Sequence, residues 1–150
     1  MSQNYERIMV AVDGSYESEL AFHKGVNVAL RNQGELFLVH VIDTRALQSV
    51  ATFDTYIYDK LEQEAKDVLS ELERQAKQAG LTRITQIIEF GNPKSLLARD
   101  IPEREKVDLI MLGATGLNTF ERLLIGSSSE YVLRHASCDL LIVRDSEKSL

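Results

Sequence analysis

One cysteine, two prolines and no block of basic residues leave this 150-residue chain without several of the features that commonly announce a function. Cys138 has no partner for an internal disulfide, so the fold must rest on its core, as expected in a reducing compartment. The 23 acidic side chains outnumber the 17 basic ones and give a formal net charge of −6. Without a basic face the chain is a poor candidate for contact with a phosphate backbone, and no nucleic-acid partner is expected. No apolar run approaches the roughly 20 residues that a membrane span needs, and the opening Met1 to Arg7 has no apolar signal core. The expectation is a soluble cytoplasmic protein with no membrane partner.

Several catalytic signatures are missing as well. There is no Gly-x-Ser-x-Gly nucleophile elbow and no Walker lysine. His23, His40 and His135 lack metal-ligand spacing, and no metal site is expected. A phosphate-receiving aspartate would have to end strand three, where Phe90-Gly91 stands, and the lysine wanted after strand five is Arg144. Asp13-Gly14-Ser15 lacks the paired glycines of a pyrophosphatase loop.

What remains is strongly patterned. The hydrophobic content of 44% suffices for one core, and residues 1–150 read as one domain with an ordered part from about 5 to 144. Five apolar runs, Ile8 to Val12, Leu36 to Ile42, Ile84 to Phe90, Leu109 to Leu112 and Leu140 to Val143, alternate with helical patterns. Such βα alternation predicts an α/β fold: a parallel sheet with helices on both faces, a three-layer αβα sandwich. Ala21, Gly25, Val28 and Ala29 share one helical face, as do Leu61, Ala65, Val68, Leu69, Leu72 and Ala76. Gly34 and Gly80 stand where those helices should stop, and a third helix should begin after Asn92-Pro93 and end or kink near Pro102. The connection from Asp43 to about Thr55 is long enough for a lid, or for a plain surface loop.

The most specific stretch is Gly113-Ala114-Thr115-Gly116, nine further residues, then Gly126-Ser127-Ser128-Ser129-Glu130. Glycines permit close approach of backbone to ligand, and the N–H groups opening a helix attract anions, so the pattern reads as a phosphate cradle. Ligands of open parallel sheets sit beyond the carboxyl ends of the strands where connections diverge, which here means between strands one and four. Asp13 would then face the glycine loop, as an acceptor for ribose or a base amino group, or else cap the first helix together with Ser15. His40 lies near the same end, its inward or outward direction depending on register. Ser127 and Glu130 also match a capping box, which accounts for those two residues without any ligand.

Gly-x2-Gly-x9-Gly-Ser resembles the nucleotide motif of the universal stress protein family. Ile8-Met-Val-Ala-Val-Asp13-Gly-Ser15, Val39-His-Val-Ile-Asp43, Phe90-Gly-Asn-Pro93 and Tyr131 to Arg144 are similar to other family segments, so the likeness covers nearly the whole chain. The resemblance implies a Rossmann-like sheet of order 3-2-1-4-5 and, in the branch that carries the motif, ATP binding. On this sequence it implies that Ala11, Val12 and Asp13 meet ribose and adenine, and that the Val41 backbone meets the base edge. Gly113, Ala114 and Gly116 would line sugar and phosphates, and Gly126, Ser127, Ser128 and Ser129 would hold the phosphate chain. The loop lacks the basic residue that many relatives place there, so Arg122 or Mg²⁺ is expected to supply positive charge, with ADP and AMP as alternatives to ATP. Asp139 stands where relatives usually have proline.

The continuously apolar edge strand Leu140 to Val143 invites pairing with another chain. The resemblance points the same way, to a homodimer. The expected function is that of an ATP-binding regulatory dimer in the stress response, acting on an unidentified protein partner. Hydrolysis would be slow at most, since a carboxylate assigned to ribose is poorly placed to activate water. The competing expectation is a nucleotide-independent interaction or chaperone-like module whose glycines serve packing alone.

Overall fold

Strands in the middle of a parallel sheet are buried on both faces and have no polar side to display, so their runs are nearly continuous, and the five apolar runs of this chain all become strands. They form β1 (Arg7–Ala11), β2 (Glu35–Asp43), β3 (Ile84–Gly91), β4 (Leu109–Gly113) and β5 (Asp139–Val143), each within one residue of its expected ends. The computed structural model describes residues 4–47, 55–114 and 126–145. In it the strands make one all-parallel sheet of order β3-β2-β1-β4-β5, a single α/β domain as expected.

Alternate side chains divide the core between two layers. Ile8, Val10, Leu36, Leu38 and Met111 pack on one face against Ala21, Phe22, Leu69 and Leu72, from α1 (Tyr16–Asn32) and α2 (Thr55–Gln78). Met9, Phe37, Val39, Ile110 and Leu112 pack on the other against Leu97, Ala98, Ile101 and Val132. These last come from a chain of short helices, α3 (Pro93–Ser95), a π turn (Leu96–Asp100) and α4 (Ile101–Glu105), and from α5 (Ser127–His135).

Three local expectations are refined. α1 ends on Gln33 in the left-handed region (φ 54°), one residue before Gly34. Pro102 does not end the third helix. The turn before it widens, with Ile101 N–H reaching Leu96 O, and α4 restarts with the proline in its first turn, where no N–H is needed. Val68 lies 44% exposed although its helical face is buried at Ala65, Leu69 and Leu72. The connection after β2 begins as a 3-10 turn, Thr44–Leu47, whose last side chain is buried. Residues 48–54 of the expected lid lie outside the described residues.

Leu69 has no exposed surface and sits in the layer between α2 and the sheet. Leu69→Ala removes buried methyl groups and leaves a cavity, so it should cost about 2–5 kcal/mol. Urea denaturation should show a lower midpoint at an unchanged m-value.

Candidate functional site

β1 is the middle strand, with β2 on one edge and β4 on the other, so connections leave its carboxyl end in opposite directions. This is the crevice anticipated from the order of the elements. β1 pairing ends with Ala11 opposite Val39, and the chain then turns through Asp13-Gly14-Ser15 into α1. The turn is held by side chains. Asp13 Oδ1 accepts from Ser15 N–H at 2.9 Å, and Ser15 Oγ caps α1 by accepting from Ser18 N–H at 3.1 Å. Gly14, at φ +84°, takes the left-handed conformation between them. The cap of α1 is therefore Ser15, and Asp13 supports it through one carboxylate oxygen of two.

Gly113 ends β4 against the first turn of α1. A Cβ there would lie 2.4 Å from Glu17 C and O and 2.7 Å from Ser18 N, distances that real Cβ atoms do not adopt. The missing side chain lets two backbones meet. Ala114 N–H continues the ladder to Val143 O at 2.9 Å, and Ser129 Oγ donates to Gly113 O at 3.4 Å, tying the start of α5 to β4.

The capping-box reading is corrected by the structure. Gly126, extended at φ −61° and ψ 156°, is the cap of α5 and offers no side chain, so Ser127 is already the first helical residue. Glu130 turns instead to Arg134 one turn on, at 2.9 Å, a spacing that suits a helical ion pair. The opening N–H groups of a helix have no intrahelical acceptor, and here no reciprocal Ser127–Glu130 pair engages them.

A cavity of about 190 Å³ occupies the crevice. Of the expected site residues, Ala11, Val12, Asp13, Val41, Gly113, Ser128 and Ser129 line it. Ala114 is buried in the ladder, and Gly126 and Ser127 stand at the start of α5 without lining the cavity. Gly116 and Arg122 lie outside the described residues. Val39, Leu112, Pro93, Leu97 and Ser18 also line the cavity and were not anticipated. Pro93 and Leu97 are four residues apart just after the Asn92-Pro93 signal, so one helical turn from that proline would have pointed to them. The result is an apolar slot flanked by a carboxylate, three serines and a helix start.

His40 faces the other way. It lines a second cavity of about 420 Å³ beside Leu61, Ala65 and Val68 of α2, and its Nδ1 lies 2.6 Å from Val12 O. Asp43, on the rim of that cavity, is held by Arg45, whose hydrogen bond keeps its carboxyl below the usual range. Cys138 is half-buried, and burial with the nearby Asp139 and Asp108 charges pushes its thiol up, away from nucleophilic chemistry. Among the described residues no group of three His, Cys, Asp or Glu side chains could hold a metal ion, and no helix is long and apolar enough to cross a membrane.

Comparison with known proteins gives a consistent picture. Residues 4–144 match the universal stress protein family. A universal stress protein of Staphylococcus haemolyticus is 41% identical over 143 residues, which span 95% of this chain and 87% of that protein. The structure of universal stress protein UspA from Lactobacillus plantarum superposes with a TM-score of 0.81 at 31% identity, covering 95% of this chain and 100% of the other. A universal stress protein crystallised in complex with cAMP superposes with a TM-score of 0.72 at 26% identity, covering 96% and 100% of the two chains.

Because Gly113 meets backbone rather than a movable side chain, Gly113→Ala should destabilise the fold by about 1–3 kcal/mol, as overpacking does. A lowered thermal midpoint in the absence of any ligand is the expected reading. An unchanged midpoint would show that α1 can draw back without cost.

Proposed function

The chain belongs to the universal stress protein family, and we propose that it is a nucleotide-binding member, a homodimer that takes an adenine nucleotide in the β1/β4 crevice, with ATP and Mg²⁺ as the leading occupant. The observation that carries this reading is the convergence of Ala11, Val12, Asp13, Val41, Gly113, Ser128 and Ser129 on one cavity from four separate chain segments. The apolar walls Val39, Val41, Pro93 and Leu97 suit the faces of a base. Asp13 keeps an oxygen for a ribose hydroxyl after serving Ser15. Ser128, Ser129 and the start of α5 suit phosphate, which the helix dipole favours. That a relative crystallised with cAMP supports the nucleotide class.

Among the described residues no lysine or arginine lines the cavity. A Mg²⁺ ion bridging phosphate oxygens would supply the positive charge, as it commonly does with few protein ligands. Among the described residues Asp13 is the only carboxylate lining the cavity, and one of its oxygens already holds the turn. Hydrolysis on this reading is slow, and the protein works by being loaded or empty toward an unidentified protein partner.

Isothermal titration with ATP and Mg²⁺ tests the binding reading. Asp13→Ala should weaken ATP about tenfold, the loss of a charge-assisted hydrogen bond. No heat and no thermal shift at millimolar nucleotide would reject it in favour of an interaction module whose glycines serve packing.

β5 supports the dimer. Among the described residues it pairs only with β4, and Leu141 on it is 38% exposed, with Leu133 of α5 exposed at 53%. An exposed apolar edge strand is a template for pairing with another copy. Leu141→Lys should convert the dimer to a monomer by sedimentation, with the monomer's far-UV spectrum unchanged.

A further inference from the structure

We infer that His40 ends the β1–β2 ladder so that the Val41 peptide is left to a ligand, which makes it a positioning residue for the nucleotide site; the inference rests on the nucleotide reading above. In a parallel sheet the N–H and C=O of one residue point to the same neighbour, and alternate residues serve alternate neighbours. Val39 therefore serves β1, and Val12 N–H donates to its carbonyl at 2.7 Å. Two residues on, Val41 points to the same side. A ladder one step longer would join Val41 N–H to Val12 O, but the paired register stops at Ala11 and that bond is not made.

Val12 O is instead 2.6 Å from His40 Nδ1. A carbonyl can only accept, so Nδ1 carries the proton and the imidazole is the donor. The side chain thus satisfies the carbonyl that the backbone would have claimed. Buried carbonyls need such a partner, and a side chain that supplies it frees the next amide at the cost of one ladder bond.

The consequence falls on the crevice, which Val12 and Val41 both line. A peptide N–H beside its own C=O matches a base that presents an acceptor nitrogen next to an amino group, as adenine does along its pairing edge. Guanine presents a carbonyl next to an N–H at those places and is mismatched. His40 stands outside this contact, on the opposite face of the sheet, against the second cavity of about 420 Å³. That space beside the ring allows it to be replaced without overpacking.

The test compares the unchanged protein with His40→Leu, which cannot donate, and His40→Asn, whose side-chain amide can stand where Nδ1 stood. Titration with ATP and GTP should show ATP weakened about tenfold in His40→Leu, with a narrower ATP-over-GTP preference, and restored to within about threefold in His40→Asn. Amide hydrogen exchange at Val41, without nucleotide, should be fast in the unchanged protein and His40→Asn and slowed in His40→Leu, where Val12 O recaptures the amide. If His40→Leu fails to fold by thermal melt, His40→Gln, with its amide displaced toward the Nε2 position, takes its place. Wild-type ATP affinity in the non-donating variant, or equal Val41 exchange in all three proteins, overturns the role assigned to His40. If the unchanged protein binds neither nucleotide, the nucleotide reading fails, and the exchange pattern still decides whether His40 ends the ladder.

Discussion

The absence of a side chain at Gly113 lets the first turn of α1 rest directly on the end of β4. With a Cβ only 2.4 Å from Glu17 C and O, the two segments could not meet as they do. That contact brings the turn after β1, the end of β4 and, through Ser129 Oγ and Gly113 O, the start of α5 to one place. The crevice is thus a product of backbone packing before it is a site for anything. A glycine that reads as part of a phosphate cradle is also required by the fold, and both demands ask for the same missing atom.

Around that contact the sheet's regular hydrogen bonding gives way to bonds from side chains. Asp13, Ser15, Asn92 and His40 each satisfy backbone groups at the ends of strands or starts of helices. The His40 bond takes the Val12 carbonyl that a longer ladder would have used. Strand ends treated this way combine two properties that a binding site needs, a rigid position and unclaimed polar groups.

The architecture was legible because doubly buried parallel strands are continuous apolar runs, and all five runs fell where strands formed. The meeting of Asp13 with Gly113 was legible from element order alone, since a central first strand determines where the connections part. Other features were not. Ser127 and Glu130 satisfy the capping pattern by residue type, yet the helix starts one residue earlier than that pattern requires, because Gly126 takes the extended cap position. Pro102 reads as a breaker by type, but a widened turn before it absorbs the missing N–H. For His40 the obstacle was the period of two along a strand, in which neighbours face opposite layers and only pairing decides which.

β5 joins the two surfaces that matter most to the proposed function. Its outer edge is the one the proposed dimer would use, and its inner edge holds Ala114 through Val143 O at 2.9 Å, at the start of the glycine segment. A displacement of β5 along the sheet would therefore carry Gly113 and Ala114 with it, and Gly113 has no room to move toward α1. Cores packed this closely shift between discrete arrangements rather than deforming smoothly. A nucleotide that seats against Gly113 and a partner chain that pairs with β5 would then act on the same rigid unit, a direct physical route by which loading could be read at the dimer edge.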